Sequence, residues 1–466
     1  MKRGQEIELT ISSLAYGGKG ISKLNDLVVF TENVLPGQRV LVKIIKKKSS
    51  YLEARKIKII KSSNNEIKAR CLHFGVCGGC KTQNLDYSIQ LQYKQDQVKD
   101  IFERIGLFKN VKIKDIIPSN VTFNYRNKME FTLSNRRWFV KDYTKFDDLP
   151  FALGLHIPKR FDKILDIEEC HIQSDEANQI LNEIRILLAK EKFEPYDVIK
   201  HAGFIKNVAI RSSKRGQDIM INFVTSYEKK DCFNKIADHL TNKFVSIKSI
   251  VNNINSSKSG ATIGEKEILL YGKKYIIENL DNYQFKISSN SFFQTNSYQA
   301  TTLYNITKKL LNLNEDQVLY DLYCGTGTIG IYLADKCSNV YGFEIVKSAV
   351  EDAIENARIN NVKNINFYQC DIKDIQSVID KEEIPLPTSI VVDPPRAGLH
   401  PNALKTISIL KPKNIIYISC NPSTQARDVK ELYDNNYKIN QIIPIDMFPH
   451  THHIENVTLL DKRWML

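Results

Sequence analysis

The sequence of 466 residues lacks long hydrophobic runs. No apolar stretch approaches the ~20 residues that a membrane-spanning helix needs, and no apolar segment of a secretory signal follows Met1-Lys2-Arg3. The sequence also has no internal repeat, so a repeat architecture is not predicted. These absences argue against a membrane or secreted protein, and we expect a protein of the reducing cytoplasm with no membrane partner.

The nine cysteines are an odd number, which together with a reducing compartment disfavours disulfides. Three of them share one glycine-containing loop, at Cys71, Cys77 and Cys80, and Cys170 is available as a fourth ligand. Four thiolates suit either tetrahedral zinc or an iron–sulfur cluster, and their spacing alone does not distinguish the two. The cysteines without a partner pattern are interpreted as core or loop residues: Cys232, Cys324, Cys337 and Cys370.

The charge balance is basic, with a formal net charge of +13 and an isoelectric point near 9.1. A long-range field and counterion release draw such a chain to a polyanion, which favours a nucleic-acid partner. Residues 1–62 alternate apolar and polar residues in short runs punctuated by glycine and proline, as in a small oligonucleotide-binding β-barrel. Its basic residues, which could also form only a solvated face, are Lys43, Lys46, Lys47, Lys48, Arg55, Lys56 and Lys58.

Two strand-like apolar runs, Ile390–Val392 and Ile415–Ile418, end in polar, proline-containing turns. Strand ends of this kind deliver reactive groups to the carboxyl edge of an α/β sheet. The first turn begins with Asp393, and the second holds Cys420 in a tight polar setting where a nucleophilic thiol is reachable. A buried structural cysteine is the alternative interpretation.

Another strand pattern, starting at Val318, leads into a glycine loop that opens a helix. Asp321 stands near the end of the strand and is followed by Gly325 and Gly327, in the pattern D-x-x-x-G-x-G. NAD domains use a similar loop, but this form is the usual one for S-adenosylmethionine. Glu344 ends the next strand, where a carboxylate accepts hydrogen bonds from a ribose diol. The pattern therefore predicts S-adenosylmethionine as the cofactor.

The segment from about 288 to 466 resembles the catalytic domain of the RNA uracil-C5 methyltransferases. The family's signatures are a D-P-P-R-x-G loop, an S-C-N-P-x-T strand end and a distal F-P-x-T-x-H-x-E motif. Residues 393–398, 419–424 and 448–455 match them in that order. The resemblance implies that Cys420 attacks C6 of uracil and that Glu455 removes the C5 proton after methyl transfer. For Glu455, a surface ion pair or a metal site with the nearby histidines is the alternative.

The same resemblance implies a set of cofactor-binding residues, which is Gln294, Tyr323, Thr328, Glu344, Asp371 and Asp393. Thr328 and Asp371 stand where some family members carry asparagine, although either side chain still forms hydrogen bonds. The segment Asn124–Lys128 is similar to the family's Y-R-x-K segment, which implies phosphate and base contacts. A solvated strand edge is the alternative for that segment.

The N-terminal half adds a second resemblance. Gly17–Ile21 and Leu35–Val40 are similar to the TRAM module, an RNA-binding barrel. The ribosomal-RNA branch of the family carries C-x5-C-G-G-C and a distant cysteine that bind a [4Fe-4S] cluster. The resemblance therefore implies that such a cluster is held by Cys71, Cys77, Cys80 and Cys170.

These observations predict three domains. Residues 1–62 form an OB-like TRAM β-barrel, residues 63–287 an α+β RNA-binding domain with the iron–sulfur site, and residues 288–466 a Rossmann-like α/β methyltransferase domain. In the last domain alternating strand and helix patterns predict a mostly parallel sheet with helices on both faces. Val457–Leu460 is expected to join that sheet as an antiparallel edge strand.

The predicted function is methyl transfer from S-adenosylmethionine to C5 of a uridine in 23S ribosomal RNA, with no protein partner implied. The same reaction on transfer RNA is the first alternative, and the N-terminal barrel and the cysteine set are taken to argue against it. A non-catalytic RNA-binding protein is the second, and Cys420, Glu455 and Asp393 speak against it. An exocyclic-amine methyltransferase is the third, but its motif needs no thiol and usually ends in an aromatic residue where Arg396 stands.

Overall fold

A computed structural model describes residues 2–140, 145–213, 217–258, 260 and 262–463. All nine cysteines are free thiols. Across the described residues, no helix is both long enough and apolar enough to cross a membrane.

The N-terminal residues form a six-stranded sheet, which we call the N-terminal sheet. Its strands are β1 (Glu6–Thr10), β2 (Ser13–Leu14), β3 (Gly20–Leu24), β4 (Leu27–Glu32), β5 (Arg39–Lys47) and β6 (Tyr51–Lys61), in the order β1-β5-β6-β4-β3-β2. Apolar residues alternate inward along β5, where Val40, Val42 and Ile44 are buried and join a small core of their own. The alternating pattern thus folds as strands, and closure into an OB-type barrel stays a prediction.

The middle of the chain forms a seven-stranded mixed sheet with two helices. The elements are β7 (Lys128–Ser134), β8 (Ala152–His156), β9 (Ile164–Asp166), α2 (Asp175–Lys190), β10 (Ile205–Ser212), β11 (Ile219–Thr225), α3 (Asn234–Lys243), β12 (Ile247–Ile254) and β13 (Lys266–Gly272). The strand order is β13-β12-β11-β10-β7-β8-β9, and α2 and α3 pack on the sheet through one apolar cluster. This is the α+β architecture that the sequence predicts.

The C-terminal part is a doubly wound α/β unit. Its elements are α4 (Ser297–Leu311), β16 (Val318–Leu322), α5 (Thr328–Leu333), β17 (Asn339–Glu344), α6 (Lys347–Ile359), β18 (Ile365–Gln369), α7 (Ile375–Lys381), β19 (Ser389–Val392), α8 (Pro401–Leu410), β20 (Asn414–Ser419), α9 (Pro422–Asp434), β21 (Tyr437–Ile445) and β22 (Glu455–Lys462). The order is β18-β17-β16-β19-β20-β22-β21, with only β22 antiparallel to its neighbours. The predicted parallel sheet is therefore present.

Strand β22 differs from its predicted place at the edge, because it inserts between β20 and β21 and leaves β21 outermost. Its residues Glu455–Leu460 are all buried, which suits an interior position. This insertion aligns Ser419 with Asn456, so that the start of β22 lies beside the end of β20.

Two elements from the predicted central domain also pack on the C-terminal unit. The helix α1 (Tyr87–Arg104) buries Val98, Ile101 and Phe102 in the same cluster as β20 and α9. The hairpin of β14 (Tyr275–Leu280) and β15 (Tyr283–Ser288) contributes its apolar face to the cluster behind β16. Helix α1 and the β14–β15 hairpin precede the C-terminal unit in the chain but share its core. The sequence alone does not reveal these contacts.

A buried ion pair fastens α1 to the chain before β22. Lys94 Nζ lies 2.6 Å from Asp446 Oδ1, and the two side chains are 5% and 0% exposed. Lys94 also donates to the carbonyl of Phe448 at 3.1 Å, and the hydroxyl of Tyr87 donates to Asp446 Oδ2 at 2.9 Å. Because both charges are paired and further hydrogen bonded, this junction fixes the segment that leads to Glu455.

Candidate active site

The polar residues at three strand ends meet at the carboxyl edge of the C-terminal sheet. Asp393 follows β19, Cys420 follows β20, and Glu455 is the first residue of β22. Parallel β19 and β20 end at the same edge, and antiparallel β22 begins there. The register of β20 with β22 therefore sets the predicted base next to the predicted nucleophile.

The turn that carries Cys420 is tied to the turn that carries Arg396. The side chains of Asn421 and Thr424 donate to the carbonyl of Arg396, at 3.0 and 3.3 Å. Ser419 Oγ accepts the backbone N–H of Asn421 at 3.1 Å, which tightens the turn at the thiol. The two sequence motifs are thus joined by hydrogen bonds and hold each other in place.

The Cys420 thiol lies in a negative, partly buried setting. Burial, and then the carboxylates of Glu455 and Asp393, raise its pKa to about 11, while Arg396 acts in the opposite direction. The thiol is accordingly protonated at neutral pH in the free protein. A thiolate forms there only if its proton is taken up or the surrounding negative charge is reduced.

The two carboxyl groups beside the thiol also favour their neutral forms. Burial raises the pKa of Asp393 to about 7, against a lowering effect of its hydrogen bond with Gln294. The pKa of Glu455 lies well above its usual range, first because of burial and then because of the Asp393 charge. Arg396 partly offsets the effect on Glu455. Both shifts favour the neutral acid over the carboxylate in each of the two groups.

The glycine loop after β16 has the geometry of a cofactor cradle. The backbone N–H of Gly330 donates to Asp321 Oδ2 at 2.8 Å, which anchors the start of α5. Gly327 has a φ of 77°, and a Cβ there would lie 2.6 Å from the Phe367 ring, so glycine is required. Asp321 Oδ1 and Thr326 Oγ1 are buried without a partner within the described chain, which fits a polar group of a bound cofactor.

Glu344 ends β17 at the rim of this cradle. Its two carboxylate oxygens accept the backbone N–H groups of Gly325, at 3.1 Å, and Val346, at 2.9 Å. Each oxygen keeps a further lone pair for a ligand. The carboxylate is thus oriented by the backbone and remains able to accept the ribose hydrogen bonds predicted for it.

The other predicted cofactor-binding residues, Thr328, Tyr323 and Asp371, lie near the same edge of the sheet and differ in their exposure to solvent. Thr328 opens α5 and its hydroxyl lies 3.2 Å from that of buried Tyr304. Tyr323 has a φ of 61°, and burial raises the pKa of its phenol to about 12. Asp371 is more exposed and forms an ion pair of 3.0 Å with Lys373. Contact of Asp371 with a cofactor consequently competes with a local ion pair.

Gln294 reaches the site from the loop before α4. Its Nε2 lies 3.4 Å from Asp393 Oδ2. Asn127, which directly precedes β7, donates to the carbonyl of Gln294 at 2.9 Å and to Ser297 Oγ at 2.8 Å. Asn127 lies in the segment that is predicted to contact RNA, and its contact with Gln294 is not predicted because nothing local marks a contact across 167 residues.

The segment around Arg126, which is predicted to contact RNA, lies partly inside the fold. Tyr125 is only 2% exposed and its hydroxyl donates to the carbonyl of Pro449 at 2.9 Å, so it is a structural residue. Lys128 forms an ion pair with Glu130 at 2.7 Å. Arg126 lies with its guanidinium 5.9 Å from the centre of the Phe448 ring, near the candidate active site. Tyr125 and Arg126 therefore both contact the motif at residues 448–455, and Arg126 does so through a charged side chain.

A residue of the N-terminal sheet also reaches the candidate active site. The hydroxyl of Tyr16 donates to the carbonyl of Cys420 at 3.2 Å. Tyr16 is not among the site residues that the sequence predicts. No signal in the sequence links positions 404 residues apart.

The four predicted cluster ligands line one cavity between the loop before α1 and the chain after β9, and they are Cys71, Cys77, Cys80 and Cys170. Burial, and then the other three thiols, raise the pKa of Cys80 to about 12. The backbone N–H of Gly79 points to Cys77 Sγ at 3.4 Å, and Gln83 Nε2 to Cys80 Sγ at 3.7 Å. Across the described part of the chain, no group of three or more His, Cys, Asp or Glu side chains is arranged to hold a metal ion.

Comparison with protein families gives two matches that together span nearly the whole chain. The family described as tRNA (uracil-5-)-methyltransferase matches residues 86–463, and the TRAM domain matches residues 1–57. The first match covers far more than half of the sequence.

Individual relatives of this chain are also RNA methyltransferases. An uncharacterized RNA methyltransferase of Bacteroides thetaiotaomicron is 41% identical over 97% of this chain and 100% of its own length. One of Chlorobaculum tepidum is 39% identical over 99% of this chain and 97% of its own. The crystal structure of the tRNA (uracil-54, C5)-methyltransferase of Pyrococcus abyssi, in complex with S-adenosyl-L-homocysteine, is similar with a TM-score of 0.76 and 31% identity. The structural alignment covers 97% of this chain and 100% of the Pyrococcus abyssi chain.

Proposed function

The chain belongs to the tRNA (uracil-5-)-methyltransferase family, a family of S-adenosylmethionine-dependent RNA methyltransferases, and on that premise we propose that it methylates C5 of a uridine through a covalent cysteine adduct. The observation that carries this proposal is the convergence of Cys420, Asp393 and Glu455 at one sheet edge. Uracil C5 is a weak nucleophile, and saturation of C6 by a thiolate makes it reactive.

Cys420 opens the reaction. Its thiol gives up a proton to solvent. The thiolate then forms a bond with C6 while the ring electrons move to C5 and O4 as an enolate. Arg396, which opposes the rise in the Cys420 pKa, favours the charged thiolate. Its position on the same hydrogen-bonded turn keeps this charge close to the nucleophile.

S-adenosylmethionine supplies the methyl group that C5 accepts. The residues that would hold it are those of the cradle: Asp321, Thr326, Glu344 and, beside the target base, Gln294 and Asp393. Tyr323, Thr328 and Asp371 are proposed to complete this set. The unpartnered atoms of Asp321 and Thr326 support the fit.

Glu455 closes the reaction. Once C5 carries both a proton and a methyl group, the Glu455 carboxylate removes the proton, C5=C6 reforms and the Cys420 thiolate leaves. The raised pKa of Glu455 makes its ionised form a stronger base than an ordinary carboxylate. Asp393, which raises the pKa of Glu455, thereby strengthens the base.

We propose 23S ribosomal RNA as the substrate and the cytoplasm as the compartment. The cysteine set, which resembles that of the ribosomal-RNA branch, supports this choice. Domain content does not separate the targets, because the Pyrococcus abyssi transfer-RNA enzyme covers 97% of this chain. That likeness makes transfer RNA the second candidate.

The test offers unmodified 23S ribosomal RNA and unmodified transfer RNA separately to the purified protein with S-adenosylmethionine. Nucleoside analysis is expected to detect 5-methyluridine in the ribosomal RNA. If 5-methyluridine appeared only in transfer RNA, transfer RNA would be the substrate and the proposed ribosomal target would be wrong. Another methylated nucleoside in either RNA would overturn C5 methylation itself.

We further propose that Cys71, Cys77, Cys80 and Cys170 hold a [4Fe-4S] cluster. The sulfur atoms line one cavity, and donors such as Gly79 N–H and Gln83 Nε2 point at two of them. Hydrogen bonds of this kind stabilise charged cluster sulfurs. No step of the methyl transfer passes through this site.

Protein purified without oxygen is expected to be brown, with about four iron and four labile sulfide atoms per chain. Cys80→Ser should lose iron, whereas Cys232→Ser, outside the cavity, should keep it. Iron, sulfide and zinc analysis of the three proteins checks this. One zinc per chain without sulfide would contradict the assignment.

Exposed basic residues of the N-terminal sheet are proposed to contact RNA phosphates. Lys46 is already paired with Glu53 at 3.2 Å, so Lys48, Arg55 and Lys58 are the better candidates. Deleting the whole sheet would also remove the contact of Tyr16 with Cys420. Point substitutions are therefore the cleaner test.

Replacing Lys48, Arg55 and Lys58 together by alanine is expected to weaken RNA binding and flatten its salt dependence. Each lost phosphate contact lowers the slope of log affinity against log salt by roughly 0.7 to 0.9. Affinity for S-adenosylmethionine should stay the same, and Lys46→Ala serves as the control. An unchanged slope in the triple variant would remove these residues from the RNA footprint.

A further inference from the structure

Tyr16 lies on the turn between β2 and β3, yet its ring packs against the core of the C-terminal unit. Its hydroxyl donates to the Cys420 carbonyl at 3.2 Å. The edge of its ring faces His452, with centroids 6.5 Å apart and planes at 73°. His452 belongs to the segment that leads to Glu455. One side chain of the N-terminal sheet therefore contacts both motifs of the candidate active site.

The turn is built to make this approach. Ala15 and Lys19 close it through a backbone hydrogen bond of 2.8 Å, and Gly18 has a φ of 84°. A Cβ at Gly18 would lie 3.5 Å from that of Lys81 and 3.6 Å from that of His452. A side chain at position 18 would thus come into van der Waals contact with both residues, and the positive φ of Gly18 is a left-handed conformation that favours glycine.

The ionisable groups that shift the pKa of the Tyr16 phenol are those of the candidate active site. The pKa of this phenol rises to about 12, through burial first and then through Cys420, with a smaller contribution from Glu455 and an opposing one from Arg396. The phenol is therefore neutral at all physiological pH values and remains a hydrogen-bond donor. A neutral donor on the carbonyl of the nucleophile fixes the turn without adding charge beside the thiol.

We propose that Tyr16 is a positioning residue for the Cys420 nucleophile, so that the N-terminal sheet completes the catalytic site as well as binding RNA. This inference rests on the proposed role of Cys420. The carbonyl and the thiol belong to the same residue, and the hydrogen bond restricts rotation of the backbone that aims Sγ at the substrate. A domain that only binds RNA would have no need of this contact.

The experiment compares full-length Tyr16→Phe, which loses only the hydroxyl, with Tyr16→Ala and with Tyr51→Phe of strand β6 as a matched control. Formation of the covalent adduct with a 5-fluorouridine RNA is timed at saturating RNA and S-adenosylmethionine. Tyr16→Phe should slow it about tenfold, the effect of one lost hydrogen bond. Affinities for RNA and S-adenosylmethionine should remain within twofold of the wild type, and Tyr51→Phe should not change the rate.

Alkylation of Cys420 by iodoacetamide, without RNA or cofactor, gives a second readout that does not depend on the proposed reaction. A loosened turn exposes the thiol, so Tyr16→Phe should be alkylated several times faster at pH 8, with Tyr16→Ala faster still. Peptide mass analysis of the buried Cys324 and Cys337 reports general unfolding and should show no change.

Slower formation of the RNA adduct together with faster alkylation of Cys420 in Tyr16→Phe would support the positioning role of Tyr16. An unchanged alkylation rate of Cys420 in Tyr16→Phe would overturn this role. So would a fall in the rate of adduct formation that only matches a fall in RNA affinity. If the wild type formed no adduct, the proposed reaction would fail, and the alkylation rates would still decide whether Tyr16 holds the Cys420 turn.

Discussion

Cys420→Ala is expected to abolish methyl transfer to RNA, with a loss of about 10⁴-fold or more. Cys324 and Cys370, the other thiols that follow strands of this sheet, are buried, whereas Cys420 is the thiol influenced by Asp393 and Glu455. Transfer of a labelled methyl group from S-adenosylmethionine to RNA measures the loss.

The Cys420→Ala protein should still bind S-adenosylmethionine and RNA, since the cradle and the basic surface are untouched. Cys232→Ala, at a half-buried thiol remote from the site, is the matched control and should retain full activity. Substantial methylation by Cys420→Ala would show that C5 is activated in another way.

Glu455→Gln is expected to separate methyl transfer from product release. The amide has the shape of the acid but cannot accept the C5 proton, so the methylated adduct should persist and turnover should fall by about 10² to 10⁴-fold. Denaturing gels that detect covalent protein–RNA complexes with ordinary uridine RNA measure this.

Stability should change little in this variant, because Glu455 already favours its neutral form in the folded protein. The adduct in Glu455→Gln should also be methylated, as mass analysis would reveal. Rapid turnover without an accumulated adduct would remove Glu455 from the base role, and Asp393 would then be the next residue to test.

The sequence predicts much of this architecture for identifiable reasons. Apolar runs that end in Asp393 and Cys420 are parallel strands that finish at one edge, and chain order alone implies this. The glycine loop after Asp321 is recognisable because only glycine tolerates its backbone and its close approach to Phe367. Local chemistry thus identifies the strands, the cradle and the thiol.

The contacts between distant segments escape such reasoning. Insertion of β22 between β20 and β21 brings Glu455 beside the Cys420 turn, and no periodicity in β22 records which neighbours it will have. Tyr125 has the motif of an RNA-contacting residue but is buried against Pro449. The hydroxyl of Tyr16 and the amide of Asn127 act through tertiary contacts that only the folded chain creates.

The most direct test of the covalent mechanism is to map the adduct with RNA that carries 5-fluorouridine at the target position. Fluorine at C5 cannot leave as a proton does, so elimination is blocked and the complex is trapped. One RNA fragment, bearing a transferred methyl group, should be attached to the peptide that contains Cys420. Attachment to another residue, or bound RNA with no adduct at all, would contradict it.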